Sequence, residues 1–159
     1  MKHKLIFLMF ISIPFAFRAI AQDLPREFEE ELKQFPDGWL AEKAERYGMD
    51  ITLDGKIWIN MDTYGDEVDY SVAASDLLQA QGTYRTAWIR GYHARDESLP
   101  YSESKRLLHL DCRRARFSEE LVVYYDGDGK LLESYGPTES RPVVPGSLAA
   151  QWMRFICNP

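Results

Sequence analysis

The chain has 159 residues, with 25 acidic side chains against 19 basic ones, a formal net charge of −6 and two cysteines. That surplus of acid argues against nucleic acid as a partner, because neutralisation of phosphates by Lys and Arg dominates such binding. It argues equally against an anionic membrane surface, while the length suits one domain with a real core.

Residues 1–21 read as a secretory signal peptide. Lys2, His3 and Lys4 form a positive start, Leu5 to Phe17 is apolar apart from one serine and one proline, and Ala19-Ile20-Ala21 gives a small-x-small cleavage pattern before Gln22. The apolar run falls short of the roughly 20 residues of a membrane span, and Arg18 interrupts it. No cysteine near Gln22 offers a lipid attachment point, and no second apolar span follows. The expectation is an exported, soluble chain, periplasmic in the first instance, with secretion or the cell surface as alternatives.

From Asp23 to Gly48 the pattern is helical, and residues 22–48 are read as a helical N-terminal region. Phe28, Leu32 and Phe35 fall at i, i+4, i+7 before the breaker Pro36-Asp37-Gly38; a second piece, Trp39 to Tyr47, ends at the natural C-cap Gly48. From Met49 to the end, residues 49–159, the period changes to two. Ile51 to Leu53, the turn Asp54-Gly55 and Ile57 to Ile59 spell a hairpin. Strands follow at Val68 to Val72, Tyr84 to Tyr92, Lys105 to Cys112, Phe117 to Tyr125 and Leu131 to Tyr135, with one helical turn at Ala74 to Leu78. Short turns between them imply an antiparallel sheet. The chain closes with Ser147 as N-cap of a helix whose apolar stripe is Leu148, Trp152, Phe155 and Ile156 and whose end is Cys157.

Two cysteines in an exported chain are expected to pair. A Cys112–Cys157 bridge would close a loop of about 45 residues, worth roughly 4 kcal/mol in the chain-entropy model. It would turn Leu108, Leu110 and Cys112 toward the C-terminal helix, and His109 and Asp111 to the opposite side. The alternative is a reactive thiol at Cys112 close to His109.

Asp126-Gly127-Asp128-Gly129 has the start of a calcium loop but strands on both sides, which makes it a hairpin turn. His109 and Asp111 could begin a metal site that lacks further ligands. Trp58, Trp88, Tyr92 and Tyr124 could project from one sheet face as a partner surface, and Arg113, Arg114 and Arg116, with Arg106, could receive an anionic partner. The alternatives are a core role for the aromatics and ion pairs with Glu119, Glu120 and other acids for the arginines. No Gly-x-Ser-x-Gly, His-Glu-x-x-His or phosphate-binding glycine loop occurs, so an enzyme is disfavoured and no cofactor or metal is indicated.

The lead-in Tyr101-Ser102-Glu103-Ser104-Lys105, Asp111-Cys112 followed by arginines, the strand ending in Tyr124, and Val143-Val144-Pro145-Gly146-Ser147 before a helix ending in Cys157 resemble the bacterial surface-adhesin protein E family, over about residues 56–158. The resemblance implies an α+β fold: an antiparallel sheet of about six strands with the C-terminal helix packed on it and tied by a disulfide. It also implies a cell-envelope protein of a Gram-negative bacterium. The expected role is a non-catalytic binding module for a protein partner in the envelope or host matrix, with Trp58, Trp88, Tyr92, Arg113, Arg114 and Arg116 as candidate contacts. Host-matrix adhesion and a periplasmic enzyme or small-ligand carrier are the competing readings, and a homodimer is left open.

Overall fold

The computed structural model of the chain describes residues 32–52, 55–61, 68–78 and 82–157. The expected signal peptide and most of the first expected helical piece lie outside the described residues.

The elements follow the hydrophobic period. Helix α1, Trp39–Tyr47, starts behind the left-handed Gly38 and stops at Gly48, whose positive φ lets its N–H donate back to the Ala44 carbonyl at 3.0 Å. Strands β1 (Met49–Ile51) and β2 (Ile57–Asn60) form a hairpin in which the Gly55 N–H donates to the Thr52 carbonyl, with β1 two residues ahead of the expected Ile51 to Leu53. Strand β3 (Asp69–Ala73) runs straight into the short helix α2 (Ala74–Leu78). The long strands are β4 (Tyr84–Tyr92), β5 (Glu103–Asp111) and β6 (Arg116–Tyr125), followed by β7 (Leu131–Tyr135) and the two-residue β8 (Arg141–Pro142). Helix α3, Leu148–Cys157, completes the chain, and Ser147 caps it by accepting the Ala150 N–H at 3.2 Å.

All pairings are antiparallel, in the order β1-β2-β3-β4-β5-β6-β7, with β8 also on β6. The family resemblance implies about six strands; the described sheet has eight, and the short β1 and β8 account for the difference. Asp126 shapes the β6–β7 turn, its carboxylate accepting the N–H groups of Asp128 and Lys130, so Asp126-Gly127-Asp128-Gly129 is a hairpin turn.

Residues opposite one another on neighbouring strands share a face. Ile57, Ile59, Val72, Ala87, Ile89, Leu108, Leu110 and Phe117 form the core face, closed by Leu40 of α1 and by Trp152, Met153 and Ile156 of α3. Burying side chains of this kind stabilises by about 1.5–3 kcal/mol each. The stripe expected on α3 is present, and Met153 joins it: 100° from Trp152 along the helix, it still faces the broad sheet. An edge contact between Tyr47 and Phe155, 4.8 Å between centroids, joins the two helices.

Candidate partner-binding face

Cys112 and Cys157 are joined by a disulfide, with Cα atoms 5.8 Å apart. The reactive-thiol alternative is thereby removed: both sulfurs are engaged, and no free cysteine is present among the described residues. His109 lies on the other side of β5, exposed, with Nδ1 3.0 Å from the Thr86 hydroxyl. Three positions apart, an odd number, His109 and Cys112 face opposite sides of the sheet. Among the described residues, the disulfide and the packed residues of α1 and α3 sit on the core face, and the reverse of the sheet presents strand residues.

That reverse face is built by register. Trp58 stands opposite Ala73, Trp88 opposite Leu107, and Leu107 opposite Leu121, one apolar row across five strands. Tyr92, Glu103 and Tyr125 form the row at one end, and Thr86, His109 and Ser118, then Asp111 and Arg116, form the rows at the other. Trp88, Leu107 and Leu121 are half-buried, and Tyr92 is exposed. Helix α2 fixes Trp88 from behind the strand end: its Asp76 carboxylate accepts the Trp88 backbone N–H at 2.7 Å. Burial pushes the Asp76 pKa up, against the opposing effects of that hydrogen bond and of Lys56.

Trp58 differs from its neighbours. It is 3% exposed, with the Arg90 guanidinium 5.1 Å above its ring. Arg90 reaches on to Asp50 at 2.6 Å and Ser71 at 3.2 Å, so it straps Trp58 into the sheet. Lys105 covers Tyr125 in the same manner, 5.2 Å from the ring, while pairing with Glu103.

The structure therefore brings Trp58, Trp88, Tyr92 and Arg116 onto one face, with Arg113 and Arg114 at the turn that ends it, beside Tyr84 and Asp111. Tyr124 is the correction. It stands opposite Ser104, on the core face, because alternation along β5 sets Ser104 opposite in facing to Lys105. The arginines are also divided: Arg106 pairs with Glu119 at 2.7 Å on the core face, Arg114 lies 3.9 Å from Asp111, and Arg116 bonds the side chain and carbonyl of Ser140.

A cavity of about 560 Å³ opens near Tyr92. Its carboxylates are all held by cations: Asp50 by Arg90, Asp69 by Arg95 at 2.5 Å, and Glu103 by Lys105 at 3.1 Å. No group of three metal-ligating side chains, and no helix long and apolar enough to cross a membrane, occurs among the described residues.

The sequence model of surface-adhesin protein E matches residues 58–158, most of the chain and all of its long strands. The chain belongs to the surface-adhesin protein E family. No curated protein and no solved structure matches it. The adhesin-E segment contains the whole β3–β7 sheet, the disulfide and α3, while α1 and β1 precede it.

Within that adhesin-E segment is a cluster that sequence patterning missed. From Tyr70, which packs against Trp152 of α3, the core face carries a chain of rings: Tyr70–His93, His93–Tyr101 at 5.0 Å, Tyr101–Tyr124 at 4.4 Å and Tyr124–Tyr135 at 6.1 Å. Arg106 lies against Tyr124, and Glu119 accepts from both Arg106 and Arg141. Burial lowers the His93 pKa, helped by the Arg106 charge, and His93 Nε2 is 2.8 Å from the buried Ser104 hydroxyl. The signal that could have found the cluster is the i, i+2 spacing of Ser104, Arg106 and Leu108, a charge in the middle of a core-facing row.

Proposed function

We propose that this adhesin-E family member is exported through cleavage of residues 1–21 and acts as a non-catalytic module of the cell envelope. It binds a protein partner through the sheet face opposite α3. The observation that carries the reading is the composition of that face. An antiparallel sheet with one solvated side ordinarily alternates polar residues outward; here Trp88, Leu107 and Leu121 lie side by side in its centre, only half covered. Aromatic residues in an apolar centre with a charged rim are what a protein interface uses. Tyr92, Lys105 and Arg116 supply the rim, Arg113 and Arg114 extend it with positive charge, and Trp58 acts as the buried floor. The disulfide favours an oxidising compartment. The family supports a surface or envelope role, and the three carboxylates of the cavity near Tyr92 are each held in an ion pair.

The test joins location with contact. Cells producing the full chain are fractionated and treated, intact, with an external protease, and a photo-crosslinking residue is placed at Trp88, at Leu107 or, as a control, at Gly127. Release with the periplasmic fraction and a discrete protein adduct from Trp88 and Leu107, absent from Gly127, is expected. Digestion on intact cells would move the site of action to the surface and make host-matrix adhesion the reading. Equal labelling from all three positions would remove the face from consideration.

A further inference from the structure

The sheet ends at β7. In the order of strands it has β6 on one side, and among the described residues the other side carries no strand. All five of its residues are exposed, including Leu131 at 53%, Leu132 at 46% and Tyr135 at 41%. Among the described residues, Leu131–Tyr135 make no backbone hydrogen bond outside the β6–β7 ladder. Edge strands are ordinarily guarded by Lys or Pro within them, by bulges or by a covering element. Strand β7 contains neither Lys nor Pro; its guards are the Glu133 charge, a slip in register beside Leu132 and, after its last residue, Pro137, which has no N–H to offer. The opposite edge, β1, is three residues long.

We infer that the outer edge of β7 accepts an added strand: an extended peptide of another protein, with a Lys or Arg opposite Glu133. Main-chain hydrogen bonds to an open edge supply affinity in this mode, and alternate side chains supply selectivity. Glu133 decides the occupant. Its cross-strand neighbour in β6 is the uncharged Tyr124. Two β7 strands paired antiparallel about a two-fold axis, with all five residues matched, would set Glu133 against its own copy, and like charges directly opposite are destabilising. A cation there is favourable. On the same face Tyr135 ends the ring chain that runs through Tyr124 and Tyr101, so the added strand meets an aromatic surface beside Glu133. This site is separate from the sheet face opposite α3, and either can fail alone.

The experiment uses the folded chain from Gln22 with two synthetic peptides that alternate valine and threonine around one central residue, lysine in one and glutamate in the other. Binding is read from the backbone amide resonances of Leu131–Tyr135 and their hydrogen exchange. The lysine peptide is expected to shift and protect these amides and to bind roughly tenfold more tightly than the glutamate peptide, with Glu133→Lys reversing the preference. A lysine peptide methylated on its central and both flanking backbone nitrogens should lose binding. Unmoved β7 amides, or equal binding of both peptides, would overturn the proposal. Protection of the same amides without peptide, rising with protein concentration, would overturn it in favour of a second copy.

Discussion

The Arg106 guanidinium and the Glu119 carboxylate meet at 2.7 Å on the covered face of the sheet, and Glu119 is 4% exposed. They belong to β5 and β6, and the register slips between them: Leu107 opposes Leu121, but Leu108 opposes Glu119. The extra residue, Glu120, is what turns Glu119 inward. Glu119 is further enclosed by Arg141, and its backbone N–H donates to the Thr138 hydroxyl.

Removing Glu119 leaves Arg106 buried without its carboxylate, and removing Arg106 leaves Glu119 buried with Arg141 alone; breaking such a buried pair costs about 3–5 kcal/mol. Glu119→Gln and Arg106→Met are each expected to destabilise by about 3 kcal/mol. The double variant should cost less than the sum, because neither charge is then left behind. Urea midpoints across the double-mutant cycle measure this, and simple additivity would show that the two groups act independently.

The disulfide should be the largest single constraint on α3. Cys157→Ser, or reductant added to the native chain, is expected to cost about 4 kcal/mol on the chain-entropy model of a 45-residue separation. Thermal melts with and without dithiothreitol check it. The native chain should lose stability on reduction while the serine variant is indifferent.

His93 makes stability depend on pH. Its folded pKa is lowered by burial and by Arg106, so below the ordinary value of about 6.5 the unfolded chain binds the extra proton first. Its contribution is fully present above that value and is lost as pH falls through the window beneath it. Urea midpoints at pH 7.5 and pH 5 should show a drop that His93→Gln reduces. A slope unchanged in the variant would assign the loss to other groups.

Gly91 is required by space. A Cβ there would lie 2.9 Å from His93 Nε2, from the Ser104 hydroxyl and from Tyr70 Cε1, three groups packed from different elements. Gly91→Ala is expected to cost about 2 kcal/mol through overpacking. Gly127→Ala, whose Cβ meets nothing within 4 Å, serves as the neutral control in the same denaturation series.

Much of the fold was legible because it is written in local periodicity and turn chemistry. Strand β4 has the bounds that alternation assigns, α1 ends at the expected glycine, and Ser147 caps α3. The cysteine pairing was legible as well, since a chain with two cysteines has one intramolecular pairing. The single-face grouping of Trp58, Trp88 and Tyr92 was legible only in part: Tyr124 faces the other way, and Trp58 is hidden beneath Arg90.

The sequence by itself determined the long strands, α1, α3 and the partner of each cysteine, because those depend on neighbours within a few residues or on a forced choice; the two-residue β8 exists only through its pairing with β6 and left no such signal. Which residues share a face, which edge stays open and which charge is buried were decided by the tertiary structure alone. These depend on register between strands, and one inserted residue, Glu120, resets the facing of the stretch of β6 before it. No periodicity within a single strand records how it is aligned with the next.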